Sequence, residues 1–184
     1  MDHKKFIFKI LIGLSFWLIG FLIGYYSNTD KSIKPDIYRN EKIEFAMSPK
    51  SISFGLVNID NIFWNIVINN LNVAFFVSIV GFLTGGIITI LIFIWNGIIV
   101  GIIIRNAILM KMTTKFILYG FVYHGPIEVF ALLWFGTIGL DGFLFYKTVF
   151  SKNIFLLPSL TRSKFLIIPL GLLLISAYLE FLLF

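Results

Sequence analysis

Residues 62–104 contain no charged side chain, and this uninterrupted run is about twice the roughly 20 apolar residues that cross a bilayer. A water-soluble fold would have to enclose it completely. The rest of the chain offers too little polar surface for that: 59% of the 184 residues are hydrophobic and 13% charged, where soluble domains carry about 25% charged residues. Residues 6–24 and 165–179 are further apolar runs of near-spanning length. The expected fold class is therefore all-α, a polytopic helical membrane protein with four to five membrane segments. The polar stretch 27–60 is too short to bury a core of its own, so residues 1–184 are read as one membrane domain.

The net charge of +6 does not indicate nucleic acid. The basic residues stand in short clusters beside apolar segments, where Lys and Arg set topology. Cysteine is absent, which removes disulfide frameworks, thiolate metal sites and Cys nucleophiles together. Lys4 and Lys5 precede the first apolar run and Lys9 stands near its start; the run is longer than a signal-peptide core and lacks a small-residue cleavage site. It is expected to be a retained anchor, spanning 6–26, with the N-terminus in the cytoplasm and Tyr25 and Tyr26 at the far interface. Residues 27–60, with balanced charges and Pro35 and Pro49, form an outer loop.

Asn58, Asn61, Asn65, Asn69 and Asn72 recur at steps of three and four and share one helical face. The expectation is an amphipathic helix over 58–72 lying in the outer interface; a polar stripe facing a partner helix or a pore is the alternative. A broken-helix core over 73–146 follows. Ala74, Ser78, Gly81 and Gly85 form a small-residue stripe suited to close helix packing, as do Gly101 and Gly139. Asn96-Gly97 is expected to end or kink a helix.

Two acid-free basic clusters come next, Arg105, Lys111 and Lys115, then Lys147, Lys152, Arg162 and Lys164. The positive-inside rule assigns both to the cytoplasm, Lys111 and Lys152 included. The apolar stretch between them, 116–146, falls short of the roughly 40 residues of two full spans. A re-entrant hairpin satisfies both conditions, with arms 116–123 and 127–146 and its turn at His124-Gly125-Pro126. The competing arrangement has five complete spans, with 61–104 crossing twice and one basic cluster outside. The last span covers 165–184.

The hairpin turn holds the chain's most suggestive polar residues. Proline suits the start of a helix, because its missing N–H has no partner there. Pro126 thus marks a start, with Gly125 as cap and Glu128 in the first turn, where free backbone N–H groups and the positive end of the dipole favour a carboxylate. His124 stands just before. Read structurally, the pair holds the helix break together. Ionisable groups cost roughly 2.5 to 3.5 kcal/mol at the bilayer centre, so a binding contact or a transporter-like site is the functional reading. Catalysis has little support: His3 and His124 are the only histidines, no H-E-x-x-H zinc motif is present, and neither a G-x-S-x-G elbow nor a phosphate loop occurs. No metal and no cofactor are expected. Asp141 is a further acid within the apolar stretch.

"NNLNVAFFVSIVGFLTGG", "WNGIIVG" and "YHGPIEVFALLWFGTIGLDG" resemble, in order and spacing, the stage II sporulation protein M family over roughly residues 61–142. Asn96, Gly97, His124, Gly125 and Glu128 match its pattern of an asparagine-rich span start, an N-G pair and a His-Gly-x-x-Glu motif. Tyr123, Pro126 and Val129-Phe130-Ala131 depart from it. The resemblance implies a bacterial membrane subunit without catalysis of its own, anchoring peptidoglycan-degrading partners during engulfment. Related proteins accompany bacteriocins, with links to maturation, export or immunity. The implied partners are membrane lipid, other membrane proteins or a hydrophobic peptide, and a second copy of the chain in a homo-oligomer.

Overall fold

The computed structural model describes residues 3–27, 62–109, 124–151 and 164–182. All of its regular structure is helical: α1 (His3–Tyr26), α2 (Ile62–Phe75), a π-helical turn (Phe76–Val80), α3 (Gly81–Leu83), α4 (Ile87–Leu109), α5 (Gly125–Phe150) and α6 (Lys164–Phe181). Among the described residues, four helices are long and apolar enough to cross a membrane: His3–Tyr26, Phe63–Leu83, Ile87–Leu109 and Gly125–Phe150. The 18-residue α6, with Pro169 buried inside it, is shorter. Large apolar side chains such as Phe8, Leu22, Leu91, Trp95, Phe143 and Ile167 line the outside, as a lipid solvent requires.

The 62–104 run divides near its middle. Gly85 (φ +64°) and Gly86 (φ +88°) occupy the left-handed region, which glycine reaches without a Cβ penalty, and they reverse the chain between two spans. Tyr146 at the far end of α5 donates its hydroxyl proton to the Leu83 carbonyl at 2.7 Å and braces the reversal. This corrects three expectations. Residues 63–83 form a span rather than an interfacial helix ahead of one. Gly85 is a turn residue, not a packing residue. The helix runs without a break through Asn96-Gly97: the Asn96 amide donates to the Ile92 carbonyl one turn back, at 3.0 Å, so its polarity is satisfied inside its own helix.

Gly97 instead belongs to a seam. A Cβ added there would overlap the Trp17 carbonyl, and one at Gly101 would overlap that of Phe21. From the other side, Gly20 and Gly24 meet the carbonyls of Ile94 and Ile98. Both helices carry a Gly-x-x-x-Gly pair, the spacing that lets helix backbones touch in a membrane. Because residue numbers rise together along this seam, α1 and α4 are parallel, and Arg105 closes its far end by donating to the Ser27 carbonyl.

Helix α5 is the central element, burying Ala131, Leu132, Leu133, Phe135, Gly136, Thr137, Gly139 and Gly142. It runs antiparallel to α4, since a Cβ on Gly136 would meet Phe93 and one on Gly139 would meet Thr89. It runs parallel to the 63–83 span, where Gly139 meets Val77 and Gly142 meets Phe82. The π turn widens that span at Val77, and the Thr89 hydroxyl, fully buried between Gly81 and Gly139, donates to the Val77 carbonyl at 2.8 Å. Thr89→Val should lower the unfolding free energy in detergent by about 1 to 3 kcal/mol, because the π turn would then hold an orphaned carbonyl. Thr89→Ser should recover most of the loss. Equal stability of the valine variant and the native protein in denaturant titration would refute this role.

The pairing also separates the basic clusters. Helix α5, with 26 residues, is about 39 Å long and can cross alone, so its residues 127–146 are part of a complete span rather than one arm of a hairpin. The other arm, 116–123, lies outside the described residues, as do the loop 28–61 with Asn58 and Asn61, and Lys111 and Lys152. Arg105 stands near the end of α4 that neighbours the start of α5, and Lys147 stands near the end of α5. They are at opposite ends of the bundle, which contradicts the expectation that both clusters share one side. Of the described members, Arg105 and Lys147 are placed as the arrangement with five complete spans has them.

Candidate functional site

Ser78, Thr89 and Thr137 are buried along the bundle, whereas His124 and Ser176 meet at the end where α5 starts and α6 finishes. Residue His124 is the N-cap of α5, one position earlier than expected, and Gly125 and Pro126 open the helix proper. The Glu128 N–H donates to the His124 carbonyl at 3.0 Å, the first intrahelical bond. That carbonyl accepts a second bond, from the Ser176 hydroxyl of α6 at 3.2 Å. A serine inside a helix usually bonds the carbonyl four residues back; Ser176, fully buried, reaches across to another helix and pins the two together.

Antiparallel packing sets the rest of the geometry. Side chains on a helix lean toward its N-terminus. Glu128, one turn after His124, therefore leans back toward the Ser176 bond, and Glu180, one turn after Ser176, leans toward it from the other side. The two carboxylates thus stand one turn to either side of the Ser176 bond, on helices that it joins. Among the described residues, neither carboxylate has an ion-pair or hydrogen-bond partner. The third helix at this end is α2, packed antiparallel to α6 through Ile66, Val67 and Ala177. One turn further on stands Asn70, 5% exposed, with its side-chain N–H₂ unpartnered; His124, 9% exposed, keeps Nδ1 unpartnered as well.

The structure thus brings together His124, Gly125, Pro126 and Glu128 and leaves Asn96 and Gly97 on the α1–α4 seam. Of the asparagine stripe, Asn65 and Asn69 are half-buried and Asn72 is exposed, while the buried asparagine is Asn70, off the stripe. Residue Glu180 escaped the sequence reading. Its signal was available: it is the only acidic residue in the apolar C-terminal run, and such residues mark sites by default. Asp141 pairs with Lys9 near the opposite end. Among the described residues, no group of three or more His, Asp or Glu is arranged to hold a metal ion.

An all-helical bundle with lipid-facing apolar sides and one polar end formed by His124, Glu128 and Glu180 defines a multi-pass membrane protein. The family described as Stage II sporulation protein M matches residues 13–182, well beyond the stretch whose motifs suggested it. The chain belongs to that family, which supports a sporulation-related membrane protein. No curated protein and no solved structure gives a significant match.

Proposed function

We propose that the protein is a non-enzymatic subunit that anchors and organises partner proteins of a cell-wall-remodelling complex in the bacterial membrane. The observation that carries this reading is the distribution of polar groups. His124, Glu128 and Glu180 stand at one end with Arg105, and Lys4, Lys5, Lys9 and Lys147 at the other. More of the basic residues of the described helices stand at the lysine end, and the positive-inside rule supports a cytoplasmic location for it. The polar cluster then faces the wall side, together with the segment joining α1 to α2, where partners acting on peptidoglycan work. Family membership adds to this.

Two experiments test the reading. Cysteines introduced at Ser27 and Leu109 should react with a membrane-impermeant thiol reagent added to intact cells, while one at Lys147 should react only after permeabilisation; the reverse pattern would overturn the orientation. Purified protein should not release fragments from peptidoglycan on its own, and deletion of its gene should disperse the partner hydrolase without reducing that enzyme's activity in solution. Hydrolysis by the purified chain would overturn the non-enzymatic role. A transporter-like role is the second reading, favoured by the two acidic residues, Glu128 and Glu180, that apolar helices α5 and α6 carry at one end of the bundle; uptake of a cation into proteoliposomes would mark it. A hydrophobic peptide precursor encoded beside the gene would mark the bacteriocin role instead.

A further inference from the structure

We propose that the 63–83 span pairs with its counterpart in a second copy of this chain, along a seam of Asn65, Ile68, Asn72 and Phe75 in which the two Asn72 side chains hydrogen-bond each other. The inference goes beyond the anchoring role and does not depend on it.

Asn72 carries the argument. Within the span Phe63–Leu83 it stands about 14 Å from the Phe63 end at 1.5 Å per residue, close to the middle of a hydrocarbon layer about 30 Å thick. Its side chain is exposed, so its amide meets lipid, where a polar group without a hydrogen bond is costly. An asparagine is too short to reach water from that depth. Other polar side chains of the spans find a carbonyl: the Asn96 amide donates to Ile92, the Ser78 hydroxyl to Ala74 and the Thr89 hydroxyl to Val77. Among the described residues, Asn72 makes no such bond. An asparagine in this position is satisfied across a helix–helix contact.

The residues around it name the helix. Asn65, Ile68, Asn72 and Phe75 follow one another at steps of three, four and three, the a and d positions of a heptad, and share one side of the helix. Asn72 and Phe75 are exposed and Asn65 and Ile68 half-buried, whereas Ile66, Val67 and Ala74 turn the opposite side into the protein's own core. The π turn, which begins at Phe76, ends the repeat. Copies of one chain insert in the same orientation, so a two-fold axis relating them runs along the membrane normal, and a helix beside that axis meets its own counterpart in parallel. Each a position then faces itself. An isologous contact of this kind requires a self-complementary residue, and asparagine carries an N–H₂ donor and a carbonyl acceptor in one side chain. Two Asn72 side chains therefore satisfy each other with two reciprocal bonds. A lone asparagine at an a position is also the device that fixes register in paired helices.

The chain has no cysteine of its own, so single introduced cysteines report the contact directly. In oxidised cell membranes the full-length Phe75→Cys and Ile68→Cys proteins should form disulfide-linked homodimers, and the Leu22→Cys protein, altered at an exposed site of α1, should not. In liposomes at a fixed protein-to-lipid ratio, energy transfer between labelled copies should show a dimer that Asn72→Leu weakens about tenfold, the worth of two interhelical hydrogen bonds in a membrane. Asn72→Gln keeps donor and acceptor and should weaken it less. In dilute detergent, where the protein is monomeric, the Asn72→Leu protein should unfold no earlier than the native one, because the site lies outside the core. Earlier unfolding would place Asn72 in the protein's own packing and overturn the seam. Equal cross-linking at Leu22, none at either seam position, or a dimer unaffected by Asn72→Leu would overturn it as well. A cross-linked product whose mass reveals a different protein on the seam would rule out the second copy.

Discussion

Gly20→Leu should be the most damaging single substitution in the protein. The added side chain begins with a Cβ overlapping the Ile94 carbonyl, and a backbone atom in the middle of a helix cannot swing aside. The α1–α4 seam must open, and Gly24 against Ile98, Gly97 against Trp17 and Gly101 against Phe21 lose contact with it. Forcing volume into a packed site costs typically 1 to 3 kcal/mol, and here the loss of neighbouring contacts puts the expected cost at about 3 kcal/mol or above. Leu22→Ala, on the exposed face of the same helix, should change stability by less than about 0.5 kcal/mol. Denaturant titration of the purified variants gives both values. Gly20→Ala and Gly97→Ala, combined, should cost less than the sum of their separate effects, because one opening serves both. Full additivity, or a Gly20→Leu protein as stable as the Leu22→Ala control, would show that the seam is not a unit.

Asp141→Ala should follow closely. The Lys9 ammonium and the Asp141 carboxylate face each other with 17% and 20% of their side chains exposed. Removing one partner of a part-buried pair leaves the other charge without its acceptor or donor, at about 1 to 3 kcal/mol. Replacing both by apolar residues of similar volume, Lys9→Met with Asp141→Leu, removes the charge and its desolvation together, and should return stability to within about 1 kcal/mol of the native protein. If the single and double variants were equally unstable, the pair would matter for its shape and not for its charge balance.

The parts of this fold that could be read from sequence depend on a residue's own neighbours along the chain. Apolar runs of spanning length, the long first helix and the helix start at Pro126 all follow from local rules. The turn at Gly85-Gly86 was harder, because a glycine pair serves equally as a packing stripe or a reversal. Length settles it in three dimensions: a reversal near the middle of the 62–104 run yields two spans of 21 and 23 residues, whereas a break at Asn96 strands the asparagine-rich part in the interface. The partnership of α1 with α4 was not legible, although both carry glycines four apart, because nothing in one helix states which other helix its glycines will meet. Glu128 was found through its place behind a proline. Glu180 gains its meaning only from Ser176, whose bond to the His124 carbonyl brings the C-terminal helix to the same place.

The parallel α1–α4 seam has a consequence for biosynthesis. Residue Gly20 leaves the ribosome well before Ile94 exists, and at about 5 to 20 residues per second the delay lasts several seconds. Through that interval α1 is in the membrane with its glycine face uncovered, while the next two spans insert as a hairpin through the Gly85-Gly86 reversal. Completion of α4 then closes the seam over a helix that has been waiting. Helix α1 thus reaches the bilayer well before its neighbour does, and the seam closes before α5 and α6 are made. A membrane chaperone that shields glycine-rich helices, or a partner protein present in excess, would have its best chance to act on this chain during those seconds.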